Sequence, residues 1–182
     1  VDTINPLLSM SSPLNNSYNT TSRVNITYSA SDANLQSCWW TNSSGKWNAT
    51  LSCGTNITNL IWPEQENNIT IYVNDSVNNI NQSDVTFTVD LTNPIIDIVS
   101  PLNSSNLSSQ TVSFLYTIFE TNMDLCQWTK DKNLPNNTVT CGTNFTHNFG
   151  SDGKKFIIMY ANDSAGRTHS DEVNFTIDTT KP

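Results

Sequence analysis

The stretch Asn68-Ile69-Thr70-Ile71-Tyr72-Val73-Asn74-Asp75-Ser76 decides how this chain folds. Ile69, Ile71 and Val73 alternate with Asn68, Thr70 and Tyr72, the period of two that puts one face of a strand in a core and the other in water. Asn74-Asp75-Ser76 then supplies turn residues. Downstream, Val85, Phe87 and Val89 alternate with Thr86, Thr88 and Asp90; upstream, Val24, Ile26 and Tyr28 alternate with Asn25 and Thr27. No stretch carries a convincing 3.6-residue period. The pattern predicts strands at 7–11, 23–30, 36–42, 47–53, 57–62, 68–74 and 84–90, separated by Asn, Ser, Gly and Pro turns. About seven short strands in a segment of this length predict an all-β, two-sheet antiparallel sandwich.

The segment occurs twice. Pro6, Pro94 and Pro182 are spaced by 88 residues (94 − 6 and 182 − 94). The same offset, without a gap, pairs Ser12-Pro13-Leu14-Asn15 with Ser100-Pro101-Leu102-Asn103, and Cys53-Gly54-Thr55-Asn56 with Cys141-Gly142-Thr143-Asn144. It also pairs Cys38 with Cys126, Trp40 with Trp128, and Asn74-Asp75-Ser76 with Asn162-Asp163-Ser164. Roughly a third of positions are identical, more than chance supplies over a repeat this long. The expected organisation is a first domain at 1–90, a second at 91–178, and the start of a linker to a following repeat at 179–182. The chain therefore reads as a slice of a tandem array within a longer exported polypeptide.

The asparagines point to a compartment. Fifteen Asn-X-Ser/Thr sequons are present: Asn15, Asn19, Asn25, Asn42, Asn48, Asn56, Asn68, Asn74, Asn81, Asn103, Asn106, Asn136, Asn144, Asn162 and Asn174. Such acceptors carry glycans only on the surface of exported proteins. An Asn-, Ser- and Thr-rich composition produces sequons by chance, so placement tells more than number. Asn25, Asn48, Asn68, Asn74, Asn136, Asn162 and Asn174 all fall on the polar phase of their strands, which would aim sugars at solvent. With 36% hydrophobic residues and no apolar run of about 18, the chain is neither disordered nor membrane-inserting in this segment. A net charge of −8 with scattered lysines and arginines leaves no cationic stripe for nucleic acid. The expected location is extracellular, at the cell surface.

In an exported chain, two cysteines per repeat read as disulfides, Cys38 with Cys53 and Cys126 with Cys141. If 38 faces 53, the hairpin midpoint falls between Gly45 and Lys46, and in the second repeat between Asn133 and Leu134. A staple closing a loop of about 15 residues is worth roughly 3 kcal/mol. Trp40 and Trp128 share the inward phase of the neighbouring cysteine. A metal reading of the cysteines fails, because His147 and His169 have no first-repeat counterparts.

The end of each repeat resembles a known family. Tyr160-Ala161-Asn162-Asp163-Ser164-Ala165-Gly166-Arg167, then Val173-Asn174-Phe175-Thr176-Ile177-Asp178-Thr179-Thr180-Lys181-Pro182, is similar to the closing turn, last strand and linker of prokaryotic Ig-like tandem repeats. The first repeat departs from that pattern with Val77-Asn78 in place of Ala-Gly. The cysteines depart too, lying within one hairpin where antibody domains bridge their two sheets. The resemblance implies two tandem Ig-like antiparallel β-sandwiches from the adhesins, stalks, surface layers or fibres of bacteria and archaea. Sequon density, few lysines and hairpin disulfides associate it with an archaeal source.

Little catalytic chemistry is legible. There is no Gly-X-Ser-X-Gly, no Gly-rich phosphate loop, and both histidines have loop-like neighbours that predict solvated rings. Glu64 with Glu66 and Asp171 with Glu172 lack an apolar pocket to split their pKa values. The chain is read as no enzyme, with no cofactor required. One constellation remains: in a sandwich of this topology Asp2, Asp32 and Asp75, and in the second repeat Asp90, Glu120 and Asp163, gather at one pole. Calcium would accept such carboxylates, and the family resemblance implies such a use of linker aspartates. The alternative, and the preferred reading, is that each caps its own turn. Trp39, Trp47 and Trp62 have no tryptophan counterparts in the second repeat and are candidate contacts, for a subunit or a sugar. The functional expectation is a glycosylated, stapled structural module of a surface filament, stalk or layer, whose partners are further copies of the same repeat or subunit. The alternative is an adhesin module that binds host or surface glycans through tryptophans or polar loops.

Overall fold

The computed structural model describes residues 2–42, 48–134 and 136–180. Trp47, the expected midpoint at Gly45 and Lys46, and the Lys181-Pro182 end of the linker lie outside them. Among the described residues there is no helix, and the fold is all-β. The chain divides into two units, Val1–Leu91 and Thr92–Pro182.

The first unit contains β1 (Leu7–Ser12), β2 (Ser17–Asn19), β3 (Thr27–Ser31), β4 (Leu35–Asn42), β5 (Asn48–Leu51), β6 (Glu66–Asp75) and β7 (Ile80–Val89). One sheet pairs β1 with β3, and the other runs β2-β7-β6-β4-β5. The alternation decides which face is buried. Ile69, Ile71 and Val73 of β6 and Phe87 of β7 are fully enclosed, and Ile69, Ile71 and Phe87 pack with Ile26, Trp40 and Trp62 in one apolar core.

The second unit contains β8 (Ile95–Ser100), β9 (Ser105–Leu107), β10 (Thr111–Phe119), β11 (Met123–Thr129), β12 (Asn137–Val139), β13 (Phe145–Asn148), β14 (Gly153–Asp163) and β15 (Thr168–Ile177). Its sheets run β13-β10-β8 and β12-β11-β14-β15-β9. Phe114, Trp128, Ile157, Met159, Val173 and Phe175 belong to its separate core.

Three departures from the sequence reading have physical causes. The ribbons β2 and β9 are additional strands, and they pair parallel to β7 and β15. Asn15 and Asn103 start these pairings, since the Asn15 Oδ1 accepts Thr86 N at 2.9 Å and the Asn103 Oδ1 accepts Asn174 N at 3.0 Å. Ser12-Pro13 and Ser100-Pro101, just upstream, are cis.

The strand expected at 57–62 forms only in the second unit, where β13 pairs with Thr111–Phe114 of β10. In the first unit a single Ile26–Ile57 bridge remains, and the strand expected from 23 begins at Thr27. Trp62 explains the difference: its indole Nε1 donates to Val24 O at 2.8 Å, and its backbone N donates to Ser22 O at 2.9 Å. These contacts occupy the carbonyls that a continuing ladder would use. The second unit has Gly150 at that position.

The hairpin register also differs. Cys38 faces Leu51, and Cys126 faces Val139, so neither cysteine faces its disulfide partner. In the second unit the midpoint therefore falls one residue earlier than expected, between Lys132 and Asn133. After Leu51 the chain leaves the ladder in a turn closed by Thr55 N donating to Ser52 O, with Gly54 at φ +80°. Gly142 at φ +74° makes the same turn in the second unit. That reversal brings each second cysteine back to within 5.2 Å, Cα to Cα, of the first.

Candidate functional site

Both disulfides, Cys38–Cys53 and Cys126–Cys141, are formed, and no cysteine is free. Such bonds persist in oxidising compartments. Cys38 and Cys126 are buried beside Trp40 and Trp128, two residues along the same inward face.

None of the fifteen sequon asparagines is buried. Nine are exposed, Asn15, Asn25, Asn48, Asn56, Asn103, Asn106, Asn136, Asn144 and Asn174, and Asn19, Asn42, Asn68, Asn74, Asn81 and Asn162 are partly so. Asn67, which heads no sequon, is the contrast: it is 7% exposed, and its amide donates to Pro63 O and Gln65 O. At Asn15, Asn56, Asn103 and Asn144 the side-chain oxygen accepts a backbone N–H from a neighbouring strand. These side chains brace the fold through oxygen.

Asp2, Asp32 and Asp75 come together, each offering a carboxylate oxygen within 4.8 Å of the others. Each also closes an Asx turn: Asp2 accepts Ile4 N at 3.0 Å, Asp32 accepts Asn34 N at 2.7 Å, and Asp75 accepts Val77 N at 2.9 Å. Two amides stitch the group. The Asn34 side chain donates to Asp2 Oδ2 at 3.0 Å, and the Asn79 side chain donates to Asp75 Oδ2 at 2.7 Å and to the carbonyls of Asp2 and Ile4. Burial would raise the Asp75 pKa, but the combined hydrogen bonds from Asn79, Val77 and Asn78 outweigh it and hold the carboxyl below its ordinary value. The oxygens suit a hard cation such as calcium, yet amide donors already engage the Asp2 and Asp75 oxygens.

Of the other expected carboxylates, Asp90 is buried at the end of the first unit, its N–H donating to Asn19 O. Glu120 and Asp163 belong to the second. Glu120 Oε1 accepts the backbone N–H groups of Thr121 and Asn122. Asp163 Oδ1 accepts Ala165 N and Arg167 N, as Asp75 does with Val77 and Asn79. Its buried Oδ2 meets no hydrogen-bond partner among the described residues.

The tryptophans divide. Trp62 is not an exposed contact: it is 6% exposed, edge-on to Trp40 and Phe87. It lines a cleft of about 430 Å³ with Trp40, Leu60, Ile61, Pro63 and Asn67. Trp39, out of phase with buried Cys38, stands on the opposite face, stacked on Tyr72 with ring centres 5.3 Å apart. Nor is His147 a solvated ring. It packs against Trp128 and Phe149, each centred 4.9 Å away, and Lys130 Nζ donates to its Nε2. Burial, and then the Lys130 charge, lowers its pKa. His169 Nδ1 accepts Ile96 N, and Asp171 Oδ2 accepts Ile98 N, so both are braces on β8. Glu64 accepts Leu91 N, and Glu172 pairs with Lys132 at 3.4 Å.

No protein-family model matches the sequence, and no curated protein matches it. Solved structures do. Extracellular domains 3–5 of Drosophila OTK align over 95% of this chain and 62% of theirs, at 16% identity and a TM-score of 0.57. Three N-terminal domains of the bacteriophage RB49 highly immunogenic outer capsid protein align over 97% and 71%, at 9% identity and a TM-score of 0.55. The fibronectin(III)-like modules of Clostridium thermocellum CbhA align over 94% of both chains, at 12% identity and a TM-score of 0.49. At such identities the likeness is one of fold. The two units are Ig-like, sandwich-type β-domains.

Proposed function

We propose that the chain is a structural extracellular module, N-glycosylated and disulfide-stapled, that forms part of a prokaryotic cell-surface filament, stalk or surface layer. One observation carries this reading: the fold keeps all fifteen sequon asparagines out of its two cores while burying Asn67, which heads no sequon. The staples and the carboxylate braces support it, because each secures a loop or strand end that load or proteolysis would open first. Its partners are further copies of the same repeat or subunit. A structural spacer needs no catalytic group, and the chain is proposed to have none.

The three aspartates of the first unit are proposed to act as turn caps tied by Asn34 and Asn79. A bound calcium is the competing account, with Asp2, Asp32 and Asp75 as its ligands in that case. Two experiments test the reading. Glycopeptide mapping of the native protein should find sugar at most sequons, and electron microscopy of the native assembly should show rows of like bodies. Bare asparagines throughout would remove the glycoprotein reading.

A second reading has its own observation. The solvent-facing Trp39–Tyr72 pair offers apolar rings on a polar sheet, so a carbohydrate-binding module is the alternative. Saturable binding on a glycan array that is lost in Trp39→Ala would favour it.

A further inference from the structure

Trp39 on β4 and Tyr72 on β6 face each other directly in the sheet register. Their inward neighbours Cys38, Trp40, Ile71 and Val73 are buried, so both rings stand on the solvent side. They lie parallel, 4° apart and with centres separated by 5.3 Å, and each remains partly exposed. Wet aromatic surface of this kind gains from a cover.

The adjoining residue is a sequon. Asn74 follows Tyr72 by two positions on the same face, about 7 Å along the strand, and lies diagonal to Trp39 across the ladder. Its amide is held by one end. The Ser37 backbone N donates to Asn74 Oδ1 at 3.1 Å and the Ser37 hydroxyl donates to the same oxygen. Among the described residues the Asn74 nitrogen makes only a long 3.5 Å approach to Asn78 Oδ1. A carboxamide gripped through oxygen presents its nitrogen in one orientation.

We propose that the first sugars of an N-glycan on Asn74 lie against the Trp39–Tyr72 pair, which is a seat for the chain's own glycan. This rests on the glycoprotein reading above. The linkage is the ordinary one, in which Nδ2 bonds to C1 of an activated, phosphate-linked oligosaccharide supplied by the exporting cell. The phosphate leaves, and the amide gives up one proton. The seat works because a pyranose ring has one face of C–H bonds, slightly positive, that complements the negative face of an indole or phenol ring. The second unit is a built-in control. It keeps Tyr160 and Asn162 but has Gln127 where the first unit has Trp39. Its Asn162 glycan therefore has one ring to rest on.

The full chain, secreted from a glycosylating yeast, provides the test. Glycopeptide mass spectrometry would follow release of each glycan by peptide-N-glycosidase from the folded protein. The Asn74 glycan should leave about fivefold more slowly than the Asn162 glycan, the ratio that one added ring contact supports. Trp39→Gln, which copies the second unit, should erase that difference and leave the other sites unchanged; Tyr72→Ser, run in parallel, should do the same. Equal release in the parent protein, protection found at Asn48 in its place, or an unmodified Asn74 among modified sequons would overturn the seat alone. Absence of sugar at every sequon would overturn the glycoprotein reading with it.

Discussion

Asn103 shows how one side chain can serve both fold and attachment. Its oxygen accepts Asn174 N while its sequon is completed by Ser105, whose hydroxyl is buried without a hydrogen-bond partner among the described residues. Asn103→Ala should therefore cost about 1 kcal/mol by urea denaturation of unglycosylated protein. Ser105→Ala, which abolishes the same sequon, should cost nothing or stabilise, because it removes an unsatisfied buried hydroxyl. The carboxylates set the acid limit. Asp75 is held below its ordinary 3.8 by hydrogen bonds that outweigh burial, and Asp152 is lowered chiefly by Thr179 and Gln110. Their contribution is complete above 3.8 and is lost as pH falls through the depressed folded values. His147, lowered by burial and Lys130, acts in the same sense, with stability falling as pH drops below its ordinary 6.5. Urea midpoints measured across this range should decline toward acid, and Asp75→Asn should flatten the lowest part of the profile. The alternation that buries Ile69, Ile71 and Val73 was legible residue by residue. The packing of His147 was not, since its aromatic neighbour Trp128 comes from a distant strand.

At the scale of elements, the staple and the indole of Trp62 do different work. Opening Cys126–Cys141 in Cys126→Ala/Cys141→Ala should lower stability by roughly 3 kcal/mol, since the closed loop has a sequence separation of 15. Trp62→Ala should cost about 3–5 kcal/mol through lost packing, and should free Val24 O of its indole donor. Trp62→Gly, which copies Gly150, is expected to let 57–60 pair with 23–26 as β13 pairs with β10; amide hydrogen exchange at Ile57–Leu60 would report the gain in protection. The register error in the hairpin is instructive. Cysteine spacing defines which sulphurs join, but a turn with a left-handed glycine intervenes between strand and sulphur, so the bridge does not mark facing residues. The short β2 and β9 ribbons escaped notice because three residues carry too little alternation to be read.

For the whole molecule, each unit has its own core, staple and sheet pair. A fragment spanning 1–91 should therefore fold alone, with a cooperative urea transition and the near-ultraviolet dichroism of packed tryptophans. Melting of the whole chain with and without a calcium chelator should give one midpoint, because amides already engage the Asp2 and Asp75 oxygens. A fall in the midpoint on chelation would establish the metal in their place.

Repetition, strand periodicity and cysteine pairing were settled along the chain, because each depends on spacing between residues in order. The gathering of Asp2, Asp32 and Asp75 already followed from the expected sandwich topology, whereas the burial of Trp62 and the seating of His147 among rings were decided only in three dimensions. Each of the latter two depends on which distant backbone groups and side chains arrive at the same place, and a one-dimensional pattern carries no term for that.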